Sequence, residues 1–239
     1  STTSRTRIEG VSYNRSDVFD GIAVLDGFEI EPAGESATAA VSLSSQMVLR
    51  NNYVHGATIT GSGTPVVDNR GGLLYNMLVA DNSPAQGAPV VANEGGTLVN
   101  LTIDAPAGSS PVVHTASGQM FNTIATQGRL FDASLYSGDD LPLDGNPYNT
   151  YLPDELSYQL KELSMAIDRG DAMPGIPSAF ASYVNLATDR DIMGNARTFA
   201  GAVDYGSFET RNFITGDMAT LVLAGGSLFY MCGGKIHLA

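Results

Sequence analysis

The chain has no tryptophan, one cysteine (Cys232) and only two lysines, Lys161 and Lys235. A lone cysteine cannot close an internal disulfide, which excludes a disulfide framework and a Cys-rich zinc site. Without tryptophan the largest aromatic platform for a sugar is missing. Positive charge is scarce: 12 Lys and Arg against 25 Asp and Glu give a net charge of −13. Such a field repels phosphate backbones and anionic lipid surfaces, so nucleic acid is not an expected partner. No apolar run approaches the roughly 20 residues of a membrane helix, and no basic-then-apolar leader opens the chain. The chain is therefore not expected to span a membrane itself, and an exported form would begin at Ser1 as a processed or trimmed product.

What is present points to strands. Across 239 residues there are 27 glycines and 11 prolines, with short apolar runs between them, and 43% of residues are hydrophobic against 15% charged. That is enough apolar material for a sizeable core, and the punctuation favours many short strands over long helices.

The strands repeat. Leu25-Asp26-Gly27-Phe28-Glu29-Ile30, Leu49-Arg50-Asn51-Asn52-Tyr53-Val54, Leu74-Tyr75-Asn76-Met77-Leu78-Val79, Leu98-Val99-Asn100-Leu101-Thr102-Ile103 and Met120-Phe121-Asn122-Thr123-Ile124-Ala125 align without gaps. Their third positions, Gly27, Asn51, Asn76, Asn100 and Asn122, are spaced by 24, 25, 24 and 22 residues. A second track, Pro65-Val66-Val67, Pro89-Val90-Val91 and Pro111-Val112-Val113, keeps the same period, and Gly71-Gly72, Gly95-Gly96 and Gly118 follow it as corners. A period of this length marks a solenoid, because one coil cannot bury its own apolar faces and stacked coils bury them jointly. The expected fold is all-β: a right-handed parallel β-helix with coils of about 22 to 25 residues. Asn51, Asn76, Asn100 and Asn122 are expected to stack as an internal ladder of side-chain amides at one corner, in preference to solvent-facing turn residues.

Around the coils the chain divides further. Residues 1–18 read as a lead-in or incomplete first coil, 19–136 as coils, and 137–163 as a loop followed by a short capping helix. Residues 164–212 read as a final coil with a closing signature, and 213–239 as a C-terminal β-hairpin turning at glycine pairs. The helix rests on Leu152, Leu156, Leu160 and Leu163 behind Pro153 and two acids. The tail's Leu221, Leu223, Leu228 and Phe229 are many apolar groups for a free end, so it is expected to be buried on the rod or on a partner.

Two stretches carry a resemblance. Ser164-Met165-Ala166-Ile167-Asp168-Arg169-Gly170-Asp171, then Asp189-Arg190-Asp191-Ile192-Met193-Gly194-Asn195-Ala196-Arg197 and Gly201-Ala202-Val203-Asp204-Tyr205-Gly206-Ser207-Phe208-Glu209, resemble the closing signature of bacterial β-helix surface proteins of the choice-of-anchor Q type. These are similar in style to polymorphic outer-membrane proteins. The chain departs from that pattern at Met165, at an extra residue before Gly194, at Ala196 and at Ser207. The opening Val24-Leu25-Asp26-Gly27-Phe28-Glu29-Ile30 also matches a frequent coil of the family. The resemblance implies a β-helical rod that is extracellular or on the cell surface of a Gram-negative bacterium, and says little about activity.

Read as chemistry, the signature offers Asp168, Asp171, Asp191, Asn195, Arg197, Asp204 and Glu209. Asp191 and Arg197 flank a Gly-Asn turn where carboxylate and guanidinium can pair, and a polar clamp finishing the last coil is the favoured reading over a glycosidase pair, which needs two carboxylates facing across a groove. Asp139, Asp140, Asp144 and Asn146 place several oxygens within eight residues. They offer a loose Ca2+ site, although a solvated acidic loop fits their spacing better. His55, His114 and His237 lie on different units without zinc-ligand spacing. Tyr53, Tyr75 and Tyr136 would stack on a glycan if exposed, and would otherwise serve as packing residues. Neither lysine is placed as a groove base, and no nucleophile elbow, phosphate loop or dinucleotide fingerprint occurs. The expected function is a non-catalytic secreted or cell-surface module for adhesion, glycan contact or surface assembly with a partner protein, with no resident cofactor. The alternatives are a carbohydrate-active enzyme, either a pectate-lyase-like lyase or a glycoside hydrolase, and a structural subunit docked through the C-terminal hairpin.

Overall fold

The computed structural model describes residues 6–9, 22–106, 109–114, 117–125, 158–160, 166–172, 174–198, 202–209, 229–232 and 235–238. It is a parallel β-solenoid of about 4 turns. Each turn contributes one short strand to each of three parallel sheets. Sheet I holds Thr6–Glu9, Phe28–Glu31, Tyr53–Val54, Leu78–Val79, Thr102–Ile103 and Ile124–Ala125. Sheet II holds Ala23–Asp26, Met47–Arg50, Leu73–Tyr75, Thr97–Val99 and Gln119–Phe121. Sheet III holds Val41–Ser44, Val67–Arg70, Pro89–Asn93 and Ser110–His114.

The register puts like on like. Leu25, Leu49, Leu74, Leu98 and Met120 stack in sheet II. Ile30, Val54, Val79, Ile103 and Ala125 stack in sheet I. Val41, Val67, Val91 and Val112 stack in sheet III. These columns meet in one buried core, which a single turn cannot build alone. The valine track departs from the sequence alignment by one residue in its last step, since Val91 pairs with Val112 and Pro89 with Ser110. A strand shifted by one residue turns every side chain to the other face, so the pairing follows the inward positions. Thr6–Glu9 pairs with Phe28–Glu31, so the lead-in contains a strand of an incomplete first turn.

At the corner between sheets III and II the glycine pairs are required. Gly71 and Gly95 have φ of 98° and 76°. A methyl group on Gly72 would sit 2.8 Å from the Ser44 carbonyl oxygen, and one on Gly96 would collide with the Asn69 amide.

Residues 166–209 add no strand to the three sheets among the described residues. Instead of a final coil they form an irregular cover with one 3-10 turn, Ala181–Tyr183, lying across the outer faces of sheets I and II. Alternation explains why a cover is needed. Leu49, Leu74 and Leu98 point inward, so Val48, Leu73, Tyr75 and Val99 point outward, where Phe180, Leu186 and Val203 bury them. Ile192 and Phe208 do the same over Leu78 and Ala80, as do Ala166, Ile167 and Tyr205 over Ile124. Phe229–Cys232 and Lys235–Leu238 pair as antiparallel strands within the expected C-terminal hairpin, whose residues 213–228, with Leu221, Leu223 and Leu228, lie outside the described residues. Most of the expected capping helix lies outside the described residues, of which Leu160 is buried beside Ile124 and Ala166.

Candidate functional site

Sheet II passes into sheet I through a tight corner in every turn, occupied by Gly27, Asn51, Asn76, Asn100 and Asn122. All five have positive φ, from 48° at Asn122 to 81° at Gly27. The left-handed region costs little for glycine and less for asparagine than for most residues, which accounts for the residue choice. The corners stack in register: the amides of Gly27, Asn51, Asn76 and Asn100 donate to the carbonyls of Arg50, Tyr75, Val99 and Phe121 in the following turn.

The asparagine side chains face the cover rather than the solenoid interior. The side-chain amides meet along the column in two pairs, Asn76 Nδ2 donating to Asn51 Oδ1 at 2.6 Å and the Asn122 amide lying 3.4 Å from that of Asn100. Beyond these pairs, the amides of Asn76, Asn100 and Asn122 engage the cover, while Asn51 Nδ2 donates to Asp26 at 2.7 Å. Asn76 Nδ2 donates to the Arg190 carbonyl at 2.9 Å. Asn122 holds both backbone groups of Asp171, donating to its carbonyl at 2.8 Å and accepting from its N–H at 2.7 Å. The Asn100 amide presents its oxygen to Arg197, whose Nε lies 3.0 Å away. The column is thus a receptor for a polypeptide backbone.

A true interior ladder occurs at the other corner. Asn69 Nδ2 donates to Asn93 Oδ1 at 2.9 Å and to the Gly72 carbonyl at 3.1 Å, while Gly72 N–H returns a bond to Asn69 Oδ1 at 2.8 Å. Both side chains are fully buried. Their signal in the sequence is a repeated Asn-x-Gly-Gly, at Asn69 to Gly72 and at Asn93 to Gly96.

Inside the cover the signature residues are drawn together, with pairings other than those expected. Asp191 does not pair with Arg197. Its carboxylate accepts from the backbone N–H groups of Met193, Asn195 and Glu209 and from the Asn195 side chain, at 2.6 to 2.9 Å. A short acidic side chain before a Gly-Asn turn satisfies nearby backbone donors more readily than it reaches across the turn. Arg197, fully buried, instead donates through Nη2 to the carbonyls of Asp204 and Gly206 and faces Glu209 at 4.0 Å. Asp204 accepts from Asp168 N–H at 2.8 Å, and its own N–H donates to Glu209 Oε2 at 3.2 Å. Burial, reinforced by the Asp204 carboxylate and partly offset by Arg197, pushes the Glu209 carboxyl up to about 9.

Among the described residues the cover reaches the second turn at Arg50, whose Nη1 donates to the Tyr183 carbonyl at 3.5 Å, and makes no hydrogen bond to the corners at Gly27 and Asn51. There an open cleft of about 320 Å³ is lined by Asp26, Gly27, Arg50, Asn51, Tyr75, Asp189, Arg190, Asp191, Ile192 and Gly194. Asp26 anchors its floor, accepting from Arg50 Nε at 2.8 Å and from Asn51 Nδ2 at 2.7 Å. On the facing wall Asp189 accepts from Tyr75 O–H at 2.9 Å and Asn185 N–H at 2.7 Å, and exposed Arg190 spends one nitrogen on the Gly194 carbonyl at 2.8 Å. Of these residues Gly27, Asn51, Tyr75 and Asp191 are singled out by sequence. Asp26, Arg50, Asp189 and Arg190 carry no periodic signal, and Tyr75 meets Asp189 across 114 positions.

The tyrosines separate. Tyr75 is 1% exposed, so its ring faces are covered, and burial followed by the Asp189 charge raises its hydroxyl well above the ordinary range. Tyr53 is half-buried, stacked on His55 with centroids 4.3 Å apart, and donates to Asp81 Oδ2 at 2.7 Å. Tyr136 and the calcium candidates Asp139, Asp140, Asp144 and Asn146 lie outside the described residues. Among the described residues no group of three or more His, Cys, Asp or Glu could hold a metal ion, and no helix is long and apolar enough to cross a membrane.

The fold and this cleft define a parallel β-solenoid with a packed lateral cover. Compared with protein-family models, with curated proteins and with solved structures, the chain matches none.

Proposed function

We propose that the protein is a non-catalytic module of a bacterial cell surface, akin to the choice-of-anchor Q β-helix proteins, that contacts a surface partner through the cleft beside Asn51. The observation that carries this reading is the division of labour among the polar groups. Asp191, Asp204 and Glu209 are at most 4% exposed and serve the cover. The cleft groups are open, yet already oriented by one another. Asp26 is fixed by Arg50 and Asn51, and Asp189 by Tyr75 and the Asn185 backbone. Pre-organised, partly satisfied polar groups favour binding, since little ordering entropy remains to be lost. Glycoside cleavage asks for something else: one carboxyl free to give up a proton opposite a second that acts on the sugar.

The test is a turnover screen on polysaccharides, run beside surface-glycan and peptide arrays on the same protein. The expected outcome is binding that Asp26→Asn or Arg190→Ala weakens, with no sugar released. Release of unsaturated sugars or new reducing ends, lost in Asp189→Asn, would replace this reading with the carbohydrate-active enzyme.

A further inference from the structure

We infer that the cleft takes an extended, basic peptide segment of a partner protein, laid on the corner column at Asn51 and Gly27, beside the described part of the cover. This rests on the proposed binding role and names the partner's chemistry. The precedent lies within the molecule. Asn76 binds the Arg190 carbonyl, Asn122 clasps the N–H and carbonyl of Asp171, and the Asn122 carbonyl receives Gly206 N–H at 2.7 Å. Two corners therefore receive peptide, and the one between them, Asn100, receives the Arg197 side chain. The next two, Asn51 and Gly27, have the same left-handed backbone and line the open cleft.

The free corners remain competent. Asn51 uses one amide hydrogen on Asp26 and one oxygen lone pair on Asn76, which leaves one donor and one acceptor for a ligand. A Cβ built on Gly27 meets nothing within 4 Å, so a backbone has room to come close. Charge sets the side-chain preference. The open charges of the cleft, Asp26 and Asp189 against Arg50 and Arg190, balance, with each carboxylate already holding a donor of the protein, so the preference comes from the −13 that the chain as a whole carries. Lys or Arg on the partner is attracted, and Asp or Glu is repelled. A sugar fits less well, because the cleft's one aromatic residue, Tyr75, is covered.

The experiment is calorimetric titration of the full chain with blocked hexapeptides of alternating Lys and Thr, blocked hexapeptides of alternating Glu and Thr, and neutral and uronic oligosaccharides. Binding of the Lys peptide is expected, weakened about tenfold by Asn51→Ala, as the loss of one hydrogen bond implies. Arg70→Ala, on the exposed side of sheet III, should leave it unchanged, and the melting temperature of Asn51→Ala reports whether the fold is retained. Equal binding of the Glu peptide, no binding of the Lys peptide, or binding indifferent to Asn51→Ala and Asp26→Asn alike overturns the inference. Oligosaccharide binding that depends on Asp26 and Arg190 would also overturn it while leaving the binding role standing. Turnover of the sugars would remove both.

Discussion

Three carboxylates and one guanidinium share the inside of the cover, and they are unequally served by hydrogen bonds. Asp191 is surrounded by four donors and Asp204 accepts from Asp168 N–H. Glu209 Oε1 has no partner, and the nearest cation to its other oxygen, Arg197 Nε, is 4.0 Å away. Burial, with the Asp204 charge behind it, pushes the Glu209 carboxyl up to about 9, so the folded protein keeps a proton there at neutral pH. The unfolded chain releases that proton near the ordinary glutamate value of about 4.3, so folding takes up a proton in between. Stability should be highest at the acid end of this window, fall as pH rises towards about 9, and level off beyond it. Glu209→Gln keeps the shape without the charge. Its melting temperature, followed by calorimetry, should depend less on pH across the window and exceed the parent's near its upper limit. Superimposable pH profiles for the two proteins would contradict the assignment.

At the scale of elements, the solenoid and its cover depend on each other through a few close approaches, and Gly206 is the closest. Its φ is 94°, its N–H donates to the Asn122 carbonyl at 2.7 Å, and a Cβ there would stand 2.6 Å from Thr102 Oγ1 and 2.8 Å from Ile124 Cγ2. Gly206→Ala should cost about 2 kcal/mol or more through backbone strain and overlap. Amide exchange should quicken across residues 166–209 while the three sheets stay protected. A uniform increase would mean that cover and solenoid open as one unit. The two elements also differ in how far sequence discloses them. Every turn buries the same faces, so Leu25, Leu49, Leu74 and Leu98, and the corner asparagines, recur at one period and identify the solenoid. The cover makes each contact once, at separations such as 114 residues for Asn76 with Arg190, and no period marks such a pairing. Its motif resemblance gathers Asp191, Arg197 and Glu209 into one cluster but does not give their pairings, which depend on the backbone donors a folded turn presents. The Asn69–Asn93 ladder is readable in its Asn-x-Gly-Gly repeat, yet two copies weigh less than four at the outer corner.

The molecule as a whole is a one-dimensional stack measured by a cover of fixed length. Each turn touches mainly its neighbours, so an added turn lengthens the stack by about 4.8 Å without disturbing the others. The cover cannot stretch in the same way, because it grips Asn76 at Arg190 and Asn122 at Asp171. Two insertions of nearly equal size should therefore behave differently. A second copy of residues 52–76 placed after Asn76 adds a turn outside the grip. It should preserve exchange protection throughout residues 166–209, while moving Asp26 and Arg50 one turn away from Asp189 and Arg190 and abolishing binding at the cleft. A second copy of residues 77–100 placed after Asn100 adds a turn inside the grip. The cover must then release one end, and protection should be lost either around Asp171 or around Asp189. Hydrogen exchange on the two proteins distinguishes these outcomes. If both insertions kept the cover intact, it would be an adaptable coat rather than a ruler. The cleft would then owe its shape to the solenoid alone.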